Sequence, residues 1–367
     1  MSVHRRIIDA IGQWDPNRDA LRWPRDKFDA LCAAVFAHQY THQRTYRTFC
    51  ERRGISPDDE PDATTIPAVA TDAFKVLHLF AGQSPSQTFR TSGTTGGERG
   101  EHHFATLDVY RASLHPTFLR FCNPTESTLR LLVLAPSHAD LPDSSLSFML
   151  SELVDRHGDD GSAFFVSPDD ELRWNIDVDG FAEALDQACS EAQPTMILGT
   201  AFAYAEVFER LDQSWKLPDG SRLMETGGFK GRFRDLSRPQ LYDAFTTRLG
   251  VARHRCVSEY SMTELSSQTY SDHLVCGDEA TGHFYAPPWL DIQIVDPVDL
   301  QPLGKPNSRG LIRFVDLANV DSVLAIQTSD RGILHPDGGL ELLGRAPDAE
   351  LRGCSLTIEE IVDAQST

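Results

Sequence analysis

The sequence predicts an α/β fold with a parallel-sheet core and a smaller β-rich part. Short apolar runs bounded by turn residues alternate with segments of helical periodicity over 129–249, and this alternation is typical of a parallel sheet covered by helices. From residue 284 onward the runs are short and separated by Pro and Gly turns, which favours β-hairpins. At 367 residues, one large domain and two smaller domains are both possible.

Helices are predicted where apolar residues recur at helical spacing, as Phe28, Leu31 and Val35 do in the first part of the chain. A loop rich in Pro, Asp and Thr is expected at 54–69. The predicted helices lie at 7–53 (more than one), 71–80, 107–121, 181–192, 201–211 and 241–249. The predicted strands lie at 129–135, 162–166, 195–199, 222–226, 291–295, 310–315 and 323–327.

The composition is that of an intracellular globular protein. The formal net charge is −20, from 54 acidic and 34 basic residues, which argues against nucleic-acid binding and against an anionic membrane surface. No apolar run approaches the ~20 residues of a membrane span, and the first 13 residues lack the apolar centre of a signal peptide. The seven cysteines are scattered without a Cys-x-x-Cys pair, so we expect a cytoplasmic location with no disulfide framework and no zinc site.

A glycine-rich run at 91–100 is the strongest local signal. Its glycines let the backbone approach a ligand closely, and its free N–H groups and hydroxyls suit a nucleotide triphosphate. The run matches neither a P-loop nor a Gly-x-Gly-x-x-Gly fingerprint, and a flexible linker is the alternative interpretation. Its residues are Thr91, Ser92, Gly93, Thr94, Thr95, Gly96, Gly97, Glu98, Arg99 and Gly100.

The run resembles the Thr-Ser-Gly-Thr-Thr-Gly loop of the acyl-adenylating superfamily. Four weaker signals follow it in the superfamily's order, and their order is stronger evidence than any one of them. The resemblance implies an adenine site at Gly227, Gly228 and Tyr260, phosphate and Mg²⁺ contacts at Thr263 and Glu264, and nucleoside contacts at Asp330 and Arg345. Ser261 departs from the superfamily, which usually has Gly there. Each signal alone could be an ordinary polar turn.

Three further segments, at 134–149, 225–231 and 350–356, resemble the acyl-protein synthetase (LuxE-type) family. This resemblance covers most of 74–361. It implies the large N-terminal domain of the superfamily at 1–343, built of parallel-sheet subdomains and a small β-rich subdomain. The C-terminal lid domain would be truncated to a vestigial tail at 344–367. Family members activate a fatty acid with ATP, accept the acyl group on a cysteine near the C-terminus, and pass it to a reductase.

The resemblance makes Cys354 the expected acyl acceptor, since a thiolate attacks a mixed anhydride readily. Nearby Arg345 and Arg352 would favour the thiolate, although an incidental thiol is the alternative. The glycine run has Glu98-Arg99 where the superfamily usually has Pro-Lys, so Arg99 is expected to supply the cation. With the lid lysine missing, Lys230 and Arg232 are the candidates to stabilise the α-phosphate in the transition state, and the motif favours Lys230.

These expectations combine into an ATP-dependent acid–thiol ligase that uses ATP and Mg²⁺. Its substrate would be a carboxylic acid, most simply a fatty acid, and its partner an acyl-accepting reductase or carrier protein. One alternative is a stand-alone ligase that transfers the acyl group directly to CoA, a carrier protein or an amine. A second is a nucleotide-binding scaffold without catalysis. No motif in the sequence identifies the acid, the pathway or the oligomeric state.

Overall fold

The computed structural model describes residues 1–92, 98–169, 173–227, 237–347 and 361. Its helices in those ranges are α1 (Val3–Gly12), α2 (Arg25–His42), α3 (Arg44–Arg52), α4 (Asp108–Cys122), α5 (Ser145–His157), α6 (Val178–Ser190), α7 (Ala201–Arg210), α8 (Arg238–Leu249) and α9 (His273–Cys276). Its strands are β1 (Val69–Ala70), β2 (Gln87–Arg90), β3 (Glu101–Phe104), β4 (Arg130–Pro136), β5 (Ala163–Pro168), β6 (Trp174–Ile176), β7 (Thr195–Thr200), β8 (Arg222–Thr226), β9 (Cys256–Tyr260), β10 (Thr269–Ser271), β11 (Phe284–Tyr285), β12 (Leu290–Val295), β13 (Arg309–Asp316), β14 (Ala325–Leu334) and β15 (Leu340–Arg345).

The chain divides into two compact units. Unit 1 comprises Met1–Thr117, Ser261–Thr269 and His283–Thr367. Unit 2 comprises Phe118–Tyr260 and Tyr270–Gly282. The chain therefore leaves unit 1 and returns to it, and residues far apart in sequence share one unit.

A parallel sheet forms the centre of unit 2. Its strands lie in the order β9-β8-β7-β4-β5, and β6 pairs antiparallel with β5. Strands β4, β7 and β8 are buried along nearly their whole length, as continuous apolar runs in a covered parallel sheet are. Because β8 and β9 run in the same direction, their carboxyl ends lie at one edge of the sheet, where Gly227 follows β8 and Tyr260 ends β9.

Short polar side chains cap the N-termini of α6 and α7 in unit 2. The Asp177 carboxylate accepts a hydrogen bond of 2.9 Å from the Gly180 amide at the start of α6. The Thr200 hydroxyl accepts one of 3.1 Å from the Ala203 amide at the start of α7. Each bond satisfies a donor that the first helical turn leaves unpaired, which is why both helices begin within a residue or two of a strand.

The apolar core of unit 2 joins strand residues such as Ile197 and Leu223 to Tyr204 of α7 and Phe245 of α8. The Tyr204 hydroxyl is buried and lies 2.8 Å from the Ile197 carbonyl and 2.9 Å from the Met224 carbonyl. One side chain thus contacts the backbone of both β7 and β8 and aligns α7 on the sheet.

Antiparallel strands dominate unit 1. Strands β12, β13, β14, β15 and β11 lie side by side in that order, and β1 pairs parallel with β14. This is the β-rich part expected after residue 284. Strands β2 and β3 form a separate antiparallel pair on either side of the glycine-rich run.

The N-terminal helices are attached to the turn that follows β13. The buried Gln39 amide donates to the Asn319 carbonyl at 2.6 Å and accepts from the Leu324 amide at 3.1 Å. The His4 imidazole lies 2.7 Å from the Asp321 carboxylate, which is also buried. The side chains of Gln39 and His4 thus bond polar groups that are buried in unit 1. The N-terminal helices are therefore an integral part of unit 1.

The predicted α/β fold is confirmed, and most predicted elements lie near their expected bounds. The helix predicted at 71–80 is wrong in extent, because only Thr71–Lys75 is helical and it is a 3-10 turn. The predicted elements did not include α5, whose apolar residues are interrupted by serines, or the four-residue strands β2 and β3. Among the described helices, none combines the length and the apolarity that crossing a bilayer requires.

Replacing Tyr204 with Phe should lower the free energy of unfolding by about 1 kcal/mol, the usual net value of one buried hydrogen bond. Urea denaturation monitored by circular dichroism measures this. Tyr40→Phe is the matched control, since the Tyr40 hydroxyl contacts Glu51 in an exposed position. Equal stability of Tyr204→Phe and the wild type would contradict the role assigned to this hydroxyl.

Candidate active site

Several of the predicted site residues lie outside the described part of the chain. Their expected roles therefore stay predictions. They are Gly93, Thr94, Thr95, Gly96, Gly228, Lys230 and Cys354.

The two ends of the glycine-rich run are bonded to each other. The Thr91 amide donates to the Gly100 carbonyl at 2.9 Å, and the Gly100 amide donates to the Thr91 hydroxyl at 2.8 Å. Ser92, the last residue described before the gap, is exposed. Thr91 and Gly100 therefore continue the pairing of β2 and β3 and form a closed base for the run.

Arg99 takes part in this base. Its Nε donates to the Thr91 carbonyl at 2.6 Å, and its Nη2 donates to the Arg90 carbonyl at 3.1 Å. These bonds direct two guanidinium donors to the backbone of the run. The role predicted for Arg99, a cation for phosphate, stays a prediction.

Glu264 is a buried carboxylate, with only 8% of its surface exposed. Burial raises the pKa of this group to about 7. Among its charged neighbours, Asp72 raises the pKa further, while Lys75 and Arg345 lower it. A nearby cation would stabilise the ionised form of a carboxylate in this position, and carboxylate oxygens are the hard ligands that Mg²⁺ prefers.

Asp330 and Arg345 were predicted from separate motifs, and the fold places them side by side. They are register partners on β14 and β15, with Arg345 Nε 3.7 Å from Asp330 Oδ1. The Asp330 amide donates to the Thr328 hydroxyl, which itself donates to the Ile312 carbonyl at 2.8 Å. The Arg345 side chain is 85% exposed, so this ion pair adds little stability and both groups are accessible to a ligand.

The described site residues fall into both units. Thr91, Ser92, Arg99, Thr263, Glu264, Asp330 and Arg345 belong to unit 1, whereas Gly227 and Tyr260 belong to unit 2. Within unit 1, Arg345 is close enough to Glu264 to act on its pKa. The fold thus brings together, in unit 1, motifs that lie far apart in the sequence.

The strand ends of unit 2 carry a polar network that the sequence motifs did not identify. Buried Glu225 accepts hydrogen bonds from Ser258 and from Arg238, the latter at 2.9 Å. The Tyr242 hydroxyl lies 2.7 Å from the Ser258 hydroxyl. Burial raises the pKa of Glu225, and Arg238 opposes that rise. These partners lie on β9 and α8, so the sequence around Glu225 does not predict them.

The network continues on the next residues of both strands. Thr226 donates a hydrogen bond to Glu259 across the register pair that ends β8 and β9. Gly227 follows with a φ of +76°, a left-handed conformation that favours glycine. Gly227 and Tyr260 are thus each preceded by a residue whose polar side chain is bonded across the two strands.

One group of metal-binding side chains is found among the described residues. It consists of His283, His335 and Glu341, whose ligand atoms lie within 4.8 Å of one another. The two imidazole rings stack with their centroids 4.2 Å apart and an interplanar angle of 8°, so their lone pairs lie in separate, nearly parallel planes. Two histidines also suit Mg²⁺ poorly, because this ion prefers oxygen ligands.

The described cysteines are poor nucleophiles. Burial is the largest cause of a raised pKa at every one of them, and it raises the pKa of Cys50 and Cys256 to about 12. Cys276 is exposed, yet Asp272 and Glu279 add to the rise of its pKa. The same direction holds for Cys32, Cys122 and Cys189. Few of these thiols are thiolates at neutral pH.

A family model described as acyl-protein synthetase, LuxE, matches residues 17–362. None of the curated proteins compared with the chain matches it. Solved structures with the same fold are 14–17% identical to this chain in the following comparisons.

The ATP-bound MatB of Rhodopseudomonas palustris is 17% identical, with a TM-score of 0.51 over 78% of this chain and 50% of that one. A 2-hydroxyisobutyryl-CoA ligase in complex with 2-HIB-AMP and CoA is 14% identical, with a TM-score of 0.63 over 92% of this chain and 74% of that one. The open conformation of the same ligase has a TM-score of 0.58 at 15% identity, over 92% and 76%. The chain spans about half the length of MatB, and these likenesses show the fold.

Replacing Arg99 with Gln should speed hydrogen exchange at the Thr91 and Gly100 amides by roughly fivefold, since about 1 kcal/mol of hydrogen bonding is lost at the base of the run. Mass spectrometry of the deuterated protein measures this. Arg111→Gln is the control, because it removes the same charge from an ion pair with Asp108 on α4. Identical rates in both variants would mean that Arg99 does not close the base.

Proposed function

The chain belongs to the acyl-protein synthetase (LuxE) family, and we propose that it uses ATP to activate a carboxylic acid as acyl-AMP. The acyl group would then pass to Cys354 and from there to a partner protein. The family match over residues 17–362 is the observation that carries the proposal. A fatty acid is the proposed substrate class, and an acyl reductase or a carrier protein is the proposed acceptor.

The proposed nucleotide site combines described residues with residues of the glycine-rich run. Asp330 offers two carboxylate oxygens to the ribose hydroxyls, and Arg345 next to it offers donors to ribose and phosphate. Gly227 and the Tyr260 ring form the adenine site at the strand ends of unit 2. The hydroxyls and amides of Ser92, Thr94 and Thr95 hold the triphosphate.

Mg²⁺ fits this proposal at Glu264. The carboxylate is buried, its pKa is raised, and its oxygens suit a hard cation. When bound, the cation offsets the charge of the phosphate oxygens. Lys230 is the proposed donor to the α-phosphate as negative charge develops there.

The reaction then has two steps. In the first, a carboxylate oxygen of the acid attacks the α-phosphorus of ATP, and the bond to the β-phosphate oxygen breaks to release pyrophosphate. In the second, the Cys354 thiolate attacks the acyl carbon, and AMP leaves with the electrons of the broken C–O bond. Holding the two anions in line is the main task of the site in the first step.

Cys354 is favoured as the acceptor by the chemistry of the other six cysteines. All six described thiols have raised pKa values, with burial as the main cause, and so have little thiolate. Cys354 follows Arg352 and Gly353 in a segment that matches the family pattern. The alternative function is direct transfer of the acyl group to CoA, a carrier protein or an amine, and the 2-hydroxyisobutyryl-CoA ligase bound to 2-HIB-AMP and CoA is a protein of the same fold named for CoA.

Exchange of labelled pyrophosphate into ATP tests the first step. We expect exchange that depends on an added acid, and a panel of fatty, aryl and amino acids identifies the class. If no acid supports exchange while ATP still binds, the chain is a nucleotide-binding scaffold and the proposed activity is wrong.

Replacing Asp330 with Ala should weaken ATP binding by ~1.5–3 kcal/mol, the scale of hydrogen bonds to a charged group. Calorimetric titration with ATP measures this. Asp291→Ala is the matched control, because Asp291 is also a strand carboxylate near an arginine, with Arg25 Nη1 3.4 Å away. Unchanged ATP affinity in folded Asp330→Ala protein would remove Asp330 from the ribose site.

Replacing Cys354 with Ser should leave pyrophosphate exchange intact and abolish a hydroxylamine-labile thioester, since a neutral Ser without a base is a poor nucleophile. Intact-mass analysis after incubation with ATP and the preferred acid measures the adduct. Cys276→Ser is the control, because Cys276 is exposed but has a raised pKa. An adduct that persists in Cys354→Ser would exclude this residue, and rapid exchange without any adduct in the wild type would favour direct transfer.

A further inference from the structure

The carboxylate of Glu264 is oriented by its backbone. No described side chain donates a hydrogen bond to its oxygens, although the residue is 8% exposed. The direction of the side chain therefore depends on how firmly the peptide groups on both sides of the Glu264 Cα are held.

Both of those peptide groups accept a hydrogen bond from a buried side chain. His102 Nδ1 donates to the Thr263 carbonyl at 2.8 Å, which fixes the peptide that precedes Glu264. Asn319 Nδ2 donates to the Glu264 carbonyl at 2.8 Å, which fixes the peptide that follows. His102 is 1% exposed and Asn319 is 1% exposed, so water does not compete for either bond.

The next residues of the segment are anchored as well. The Asp316 carboxylate accepts from the Ser266 amide at 3.0 Å, from the Ser267 amide at 2.9 Å and from the Ser267 hydroxyl at 2.7 Å. Asp316 is fully buried at the end of β13. Three side chains from two separate parts of unit 1 thus bond Glu264, Ser266, Ser267 and the Thr263 carbonyl.

The ring of His102 is itself fixed. It packs between Phe74 and Phe104, with ring centroids 5.9 and 4.2 Å away. Because the Thr263 carbonyl can only accept, Nδ1 of His102 carries the proton and donates it to this bond. Its Nε2 has no hydrogen-bond partner among the described residues.

We propose that His102 and Asn319, backed by Asp316, are positioning residues that hold the Glu264 carboxylate at the place where it takes the divalent cation. The proposal rests on the function proposed above and deepens it. None of the three residues touches the cation or the nucleotide. They act through the backbone, as outer-shell partners do around metal ligands.

The test compares two histidine substitutions. His102→Phe keeps the ring between Phe74 and Phe104 and removes the donor, whereas His102→Asn keeps a donor near the position of Nδ1. We expect His102→Phe to weaken Mn²⁺ binding in the presence of ATP by roughly tenfold, within the range for loss of an outer-shell partner, and His102→Asn to restore most of it. Electron paramagnetic resonance of free Mn²⁺ measures the affinity, and Asn319→Ala should give a loss of similar size.

His103→Phe is the matched control. His103 is the next residue on β3, and its ring bonds the Thr88 hydroxyl at 2.9 Å instead of the Glu264 segment. Hydrogen exchange over 263–268 provides a second readout, which should accelerate in His102→Phe and Asn319→Ala and stay unchanged in His103→Phe. The Mg²⁺ concentration that half-activates pyrophosphate exchange should rise in parallel.

The outcomes separate this inference from the proposed function. If the wild type supports no pyrophosphate exchange, the proposed activity is wrong. The Mn²⁺ affinities and the hydrogen-exchange rates of the variants still test whether His102 and Asn319 position Glu264. If His102→Phe lowers the melting temperature but leaves Mn²⁺ affinity and the exchange over 263–268 unchanged, the positioning role is wrong. Equal losses in His102→Phe and His102→Asn, with both folded, would also overturn it, because the donor would not be the cause.

Discussion

The buried carboxylate of Asp316 is the constraint on which the centre of unit 1 depends. Its oxygens collect donors from Ser266, Ser267 and Ala318, and a carboxylate removed from water is tolerated only when it is satisfied in this way. Further hydrogen bonds extend this network. The Ser267 hydroxyl lies 3.0 Å from the Ser113 hydroxyl, which accepts a hydrogen bond from the Trp289 indole. One acidic side chain therefore joins the end of β13, the Glu264 segment and helix α4.

Asp316 and Glu264 are both buried carboxylates, but they differ in the groups that donate hydrogen bonds to them. Asp316 is surrounded by amides and a hydroxyl, whereas described side chains leave the oxygens of Glu264 without a donor. The pKa of Glu264 is accordingly raised to about 7, and that of Asp316 to about 6. The two carboxylates thus differ in their donors, because amides and a hydroxyl of other residues reach Asp316, whereas the hydrogen bond to the Glu264 carboxylate comes from its own backbone.

The sequence could predict the fold class, the family resemblance and local motifs, but not the contacts between distant segments. The spacing of Thr328 and Asp330, and the Gly-Arg pair that contains Arg345, identified two residues that the fold makes neighbours on β14 and β15. It could not predict that Arg99 would bond the backbone of its own run. Nor could it predict His102, because its partner Thr263 lies 161 residues away. Contacts of this kind follow from how the strands are arranged, which no motif encodes.

The raised pKa values of the cysteines have a consequence for the chemistry of oxidation. Peroxides react with the thiolate, so a thiol whose charged form is suppressed by burial is slow to enter the series of sulfenic and sulfinic acids. The six described cysteines are thus shielded in two ways, by low thiolate content and, for most of them, by limited access. Cys32, Cys50, Cys122 and Cys256 have no exposed surface and are protected most completely. The packing that stabilises both units therefore also slows the oxidation of the described cysteines that it buries.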